Sequence, residues 1–125
     1  ISFPFLFHKP TLTYPFLLSK ILGPLYFHVL VFWSAGLVNF FVPSGGGQWA
    51  VQAPVMLEAA QSMDVSMAKT AMEVAWGDAW TNMIQPFWAL PALAIAGLKA
   101  KDIMGFCLII LFVSGAVISL GFFLL

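Results

Sequence analysis

The chain has 125 residues, 62% of them hydrophobic and 8% charged, with a mean hydropathy of +0.98, and so small a domain with so little polar surface is not built for water. Five lysines balance five carboxylates and there is no arginine, so neither a net field nor a guanidinium fork is on hand to hold nucleic acid. Cys107 is the only cysteine, His8 and His28 stand apart, and no nucleophile, base and orienting group occur together, so no metal, no cofactor and no enzyme chemistry is expected.

The first residue is Ile1, and the opening stretch lacks the charged start and small-residue cleavage site of a signal peptide, which predicts that the chain begins inside a longer one. Pro4, Pro10, Pro15 and Pro24 interrupt the first residues, and each removes a backbone donor and disfavours a helical residue before it. Residues 1–27 are therefore expected to be irregular or interfacial, with the histidines in interfacial or loop positions. Residues 28–41 are apolar and helix-compatible, but they cover only about 21 Å of the roughly 30 Å hydrocarbon core.

Pro43, Ser44, Gly45, Gly46 and Gly47 then break the chain, a second apolar arm runs over 48–60, and a polar link follows at 62–66. Two half-length arms with a glycine tip predict a re-entrant hairpin over 28–60. Its tip is tolerable at membrane depth only if it is buried in protein or faces a water-filled cavity. Residues 67–98 are more than one crossing needs and are interrupted by Gln85, Pro86 and Pro91, which predicts one crossing with a break inside. After Lys99 and Lys101, residues 103–125 carry no charge and give about 34 Å of helix, a complete transmembrane span. The two lysines place their link in the cytoplasm, with the C-terminus and both ends of the hairpin outside. The predicted fold class is thus an all-α membrane protein.

A polar stripe marks the broken segment, because at 100° per residue Thr81, Asn82 and Gln85 lie about 60°, 40° and 20° from Asp78. Trp76, Trp80 and Met83 fall on the other side, toward lipid or apolar protein. A carboxylate at membrane depth costs about 2.5 to 3.5 kcal/mol on insertion scales, so Asp78 needs a proton, a cation or a partner. It either couples a sodium ion or proton, or hydrogen-bonds a neighbouring broken helix. Glu73 follows Lys69 by four residues and is read as an interfacial ion pair.

At the tip, Ser44 and Gln48 flank the glycines, and the arm that begins there aims its unpaired amides and positive dipole end at the turn, where a small carboxylate could dock. The glycines are not a nucleotide loop, since no Gly-Lys-Ser or Gly-Lys-Thr follows. The tip and the break at Gln85 are expected to meet, as paired discontinuous helices do in secondary transporters. Gly115 and Ser119 read as a helix-packing face. Trp33, Trp49 and Trp88 read as interface anchors or packing.

Residues 34–60, SAGLVNFFVPSGGGQWAVQAPVMLEAA, and residues 75–101, AWGDAWTNMIQPFWALPALAIAGLKAK, with DIMGF at 102–106, resemble the C-terminal end of the bacterial short-chain fatty acid transporter family. Residues 1 to about 30 depart from it. The resemblance implies a multi-pass protein of the bacterial cytoplasmic membrane that takes up small monocarboxylates such as acetoacetate or butyrate. It also implies ion coupling and inverted repeats, each with a re-entrant hairpin and a broken helix.

Carried over by motif are Asn39, Ser44, Gly45, Gly46, Gly47, Gln48 and Gln52 at the tip, and Gly77, Asp78, Asn82, Gln85 and Pro86 at the break. The expected substrate contacts are Asn39, Ser44, Gly45, Gly46, Gly47, Gln48, Gln52, Asn82 and Gln85, with Asp78 and Asn82 placing the coupling ion. The expected partners are the lipid bilayer, the fatty acid anion and a missing N-terminal half of the transporter, with a homo-oligomer left open. The alternative is a non-transporting membrane subunit or an inactive remnant of such a carrier.

Overall fold

The computed structural model describes residues 14–125, with side chains from residue 23 onward, and every regular element among them is helical. Helix α1, Tyr14–Phe41, begins with Pro15 in its first turn, where a missing N–H leaves no bond unmade, and runs on through Pro24. The irregular segment expected over 1–27 is corrected from residue 14 onward. One internal proline removes a single i→i−4 bond, and the apolar residues on either side keep the helix going. Residues 1–13 lie outside the described part.

Helix α2, Gly45–Ser62, starts at Ser44, whose extended backbone and side-chain oxygen cap it by accepting the Gly47 N–H at 3.3 Å. Helix α3, Met67–Thr81, is capped in the same way by Ser66, which accepts the Lys69 N–H at 3.2 Å. It then gives way to a 3₁₀ turn at Asn82–Ile84, an extended Gln85 and a second 3₁₀ turn at Pro86–Ala89. The break falls here because Pro86 donates no N–H and forces the residue before it out of the helical region.

Helix α4, Leu90–Ala96, takes Pro91 in its first turn and ends on Gly97 in the left-handed conformation, φ 70°. Helix α5, Ala100–Leu124, opens where the Lys99 N–H donates to Asp102 Oδ2 at 2.8 Å. The segments 23–41 of α1 and 100–124 of α5 are long and apolar enough to cross a membrane.

The packing sets the direction of each helix. His28 stands opposite Glu73 and Asn39 opposite Thr81, so α1 and α3 run parallel. Helix α2 turns back against them, and Gln48 reaches the Ala35 carbonyl at 2.8 Å. Helix α5 is antiparallel to α3, for Trp80 Nε1 donates to the Leu111 carbonyl at 2.8 Å and Lys69 Nζ to that of Phe122 at 3.0 Å.

The α1–α3 crossing is close because Gly77 has no side chain: a β-carbon there would strike the Phe32 carbonyl and come within 2.6 Å of Ala35 Cβ. Two apolar clusters flank the crossing. Val31, Ala35 and Val74 form one with Phe27 and Met56, and Phe32, Trp80 and Leu111 form the other with Met83, Ile84, Ile118 and Phe122. The outer face of α5 leaves Phe106, Ile109, Phe112 and Val113 exposed, a surface for lipid or further protein.

Candidate functional site

Three helix ends come together where α1 stops, α2 starts and α3 breaks. The node is Asn39, fully buried in the last turn of α1. Its amide nitrogen donates to the Asp78 carbonyl at 2.8 Å, Thr81 Oγ1 at 3.0 Å and Asn82 Oδ1 at 2.8 Å. In return, Gln85 Nε2 donates to the Asn39 carbonyl at 2.9 Å, and Thr81 Oγ1 donates to the Gly36 carbonyl at 3.0 Å. The Asp78 and Asn39 carbonyls, left free by the two helix ends, are thereby satisfied by side-chain amides.

Asp78, one turn before the break, faces the start of α2. A β-carbon added at Gly45 would lie 3.0 Å from Asp78 Oδ2, so the bare glycine is what lets the carboxyl approach the helix end. Ser44 holds the Gly47 N–H, while the N–H groups of Gly45 and Gly46 meet no acceptor among the described residues. The Asp78 carboxyl makes no hydrogen bond among them either, so the alternative that it ties down a neighbouring helix finds no partner there. Gly45, Gly46, Gln48, Trp49, Val74, Ala75 and Asp78 surround a cavity of about 350 Å³.

A second cavity of about 690 Å³ opens on the break side, lined by Pro43, Ala79, Asn82, Met83, Gln85, Phe87 and Trp88. Asn82 is exposed to it, and Trp88 Nε1 donates to the Asn82 carbonyl at 3.0 Å. Asp78 and Asn82 thus border neighbouring cavities from one helical stripe. The stripe's apolar counterpart divides: Trp80 is buried against Phe32 and α5, whereas Trp76 is half exposed.

The residues expected at the site do not all face it. Gln52 is buried between α2 and α1, where its Nε2 donates to Ser34 Oγ at 3.1 Å, and Gln48 borders the cavity with its Nε2 already committed to Ala35 O at 2.8 Å and Gln52 Oε1 at 3.0 Å. Their amide donors join helices. Asn39 likewise has its donor group occupied, while Gly45, Gly46, Asp78, Asn82 and Gln85 line open space. On the packing face, Gly115 abuts the Trp80 ring, and Ser119 Oγ accepts from Trp33 Nε1 at 2.9 Å.

Sequence reasoning misplaced one pair. Glu73 is not paired with Lys69, since Lys69 Nζ goes to the Phe122 carbonyl, and His28 lies within helix α1 rather than in a loop. Glu73 is fully buried with Oε1 2.6 Å from His28 Nδ1, off the hydrogen-bonding direction of the ring, and Oε2 meets no donor among the described residues. Both residues are ionisable and lie within apolar runs, which was the available signal. The pairing itself depends on the parallel course of α1 and α3, which the neighbours of neither residue fix.

Comparison with known proteins now decides the family. The short chain fatty acid transporter family matches residues 13–125. The chain belongs to that family. The match reaches back to residue 13, so the departure expected over residues 1 to about 30 is corrected for most of that stretch. The chain is 52% identical over 95 residues to a candidate short-chain fatty acid transporter of Escherichia coli (strain K12), covering 76% of this chain and 22% of that protein. It is 48% identical over 99 residues to one of Haemophilus influenzae, covering 79% of this chain and 22% of that protein. It therefore spans about a fifth of the length of these curated relatives. No solved structure matches it.

Proposed function

We propose that this segment is the C-terminal part of a secondary carrier for small monocarboxylates, such as acetoacetate or butyrate, in the bacterial cytoplasmic membrane. The substrate carboxylate docks on the free Gly45 and Gly46 amides, and its short acyl chain lies against Trp49 and Val74. The observation that carries the reading is that these amides and the Asp78 carboxyl face one cavity. A cavity with a few polar groups and apolar walls, at the ends of interrupted helices, suits a short-chain anion that must be held briefly and released.

Coupling follows from charge. Two carboxylates about 4 Å apart repel by about 4 kcal/mol at an effective dielectric near 20, so a monocarboxylate entering beside ionised Asp78 must bring a cation or a proton. Asn82 and Gln85, one and two turns further on, help place that companion. Sodium and proton both satisfy the argument.

Helix α5 supports a re-entrant reading of α1 and α2. If α5 crosses the bilayer, Leu111 stands about 17 Å from its start and about 20 Å from its end. Trp80 bonds to Leu111, and Asp78 and the α2 start lie within a turn of that level. The hairpin tip is then near mid-membrane, and the length of α1 before His28 extends toward and beyond the outer surface. The inverted-repeat partner of this hairpin would come from the rest of the transporter.

The test is uptake by the full-length protein in proteoliposomes, with sodium and pH varied separately. Asp78→Asn is expected to abolish or sharply weaken the dependence of butyrate uptake on the coupling ion. Uptake and ion dependence both equal to wild type would remove Asp78 from the mechanism.

A further inference from the structure

We propose that His28 and Glu73 together form a proton-binding site between α1 and α3, separate from the cavity at the glycine tip. The two residues come from different helices, and both are buried, with relative exposures of 7% and 0%. Their 2.6 Å approach brings an imidazole nitrogen against a carboxylate oxygen off the ring's N–H direction, so the contact itself supplies Oε1 with no hydrogen bond. The second carboxyl oxygen, Oε2, has no partner among the described residues, so a full negative charge there would be left bare of them in an apolar setting.

Among the described residues the surroundings offer nothing else to neutralise it. Thr70, fully buried one turn away, donates its hydroxyl to the Ser66 carbonyl at 3.0 Å. Lys69 turns its ammonium to the Phe122 carbonyl on α5. Val31 and Val74 line the crossing with apolar surface, and Met56 packs in from α2. The acidic residues of α2 and its following turn, Glu58 and Asp64, are exposed, and the charged residues of α5, Lys101 and Asp102, lie at its opposite end. A proton beyond the one a neutral imidazole already carries makes the pair electrically neutral. It comes from water and returns to water, with no other bond changed.

Position gives the site a use. Glu73 precedes Asp78 by five residues, about 8 Å along α3, and His28 precedes the Asn39 brace on α1. The pair therefore bridges the same two helices whose ends frame the tip, and its proton holds them together. Separation of α1 from α3 would wet the pair and release the proton. This role in uptake rests on the carrier reading, whereas the existence of the site does not.

The experiment uses the full-length transporter in proteoliposomes from about pH 5 to about pH 8, the range in which histidine changes charge. Infrared difference spectra of the wild type should contain a protonated-carboxyl band that fades as pH rises and is missing from Glu73→Gln. Butyrate should bind Glu73→Gln with unchanged Kd while the pH dependence of its uptake is lost, and Glu73→Asp should restore that dependence. A titrating band that persists in Glu73→Gln, or a wild-type pH profile in that variant, would overturn the proposal. Should Glu73→Gln not insert, His28→Gln decides, since a carboxyl that abuts the imidazole requires its band to shift when the ring is replaced, and an unshifted band contradicts a joint site. A wild type that moves no monocarboxylate would refute the carrier reading, and the infrared band would still decide the proton site.

Discussion

The side-chain amide of Asn39 donates to Asn82 Oδ1 at 2.8 Å, joining the last turn of α1 to the first residue after α3. That nitrogen also serves Thr81 and the Asp78 carbonyl, and it is fully buried. Asn39→Leu would leave these acceptors without a donor, at a cost of about 1–3 kcal/mol. A lower thermal midpoint in detergent is expected, together with easier proteolysis at the break. An unchanged midpoint would show that the network is ornamental.

Gly77 sets the distance between α1 and α3. Gly77→Ala should destabilise the protein by about 1–3 kcal/mol, because the new carbon meets the rigid Phe32 backbone rather than a side-chain tip. Gly121→Ala and Gly105→Ala place their carbons in open space and are the matched controls. Equal melting behaviour of all three variants would contradict the close crossing.

At Gly45 the obstruction is the Asp78 carboxyl, which can swing aside, so Gly45→Ala should fold normally. Substrate binding should weaken by about tenfold, equivalent to about 1.4 kcal/mol, since the added methyl crowds the carboxyl and amides that share the cavity. Equilibrium binding of labelled butyrate measures this directly. Wild-type affinity would remove Gly45 from the site.

Trp80→Phe keeps the aromatic packing on Phe32 but deletes the bond to the Leu111 carbonyl, at a cost of about 1 kcal/mol. The loss should loosen α3 from α5, which hydrogen exchange at the Trp80 level would report.

Much of this arrangement was readable from residue chemistry. Pro86 and the glycines after Ser44 mark the two discontinuities, because a missing N–H and a capping hydroxyl act locally whatever surrounds them. The uncharged stretch that becomes α5 is legible from length alone. The beginning of α1 was not, since Pro24 breaks one bond while the tertiary contacts that keep the helix continuous lie far away in sequence.

The same distinction divides the polar residues. Asp78 and Asn82 could be placed on one face by helical geometry, but the inward turn of Gln48 and Gln52 depends on Ala35 and Ser34 of another helix. Nothing in their own spacing separates an amide that lines a cavity from one that joins two helices. The contact of Glu73 with His28 instead of Lys69 was hidden for the same reason, as it depends on the parallel course of α1 and α3.

The tip is most directly tested by a cysteine at position 46 in the full-length protein, with its other cysteines removed. Labelling by a water-soluble thiol reagent should be slowed by butyrate and unaffected by butyramide, which matches it in size without the charge. A cysteine that never reacts, or that both compounds protect equally, would contradict a water-accessible carboxylate site at the start of α2.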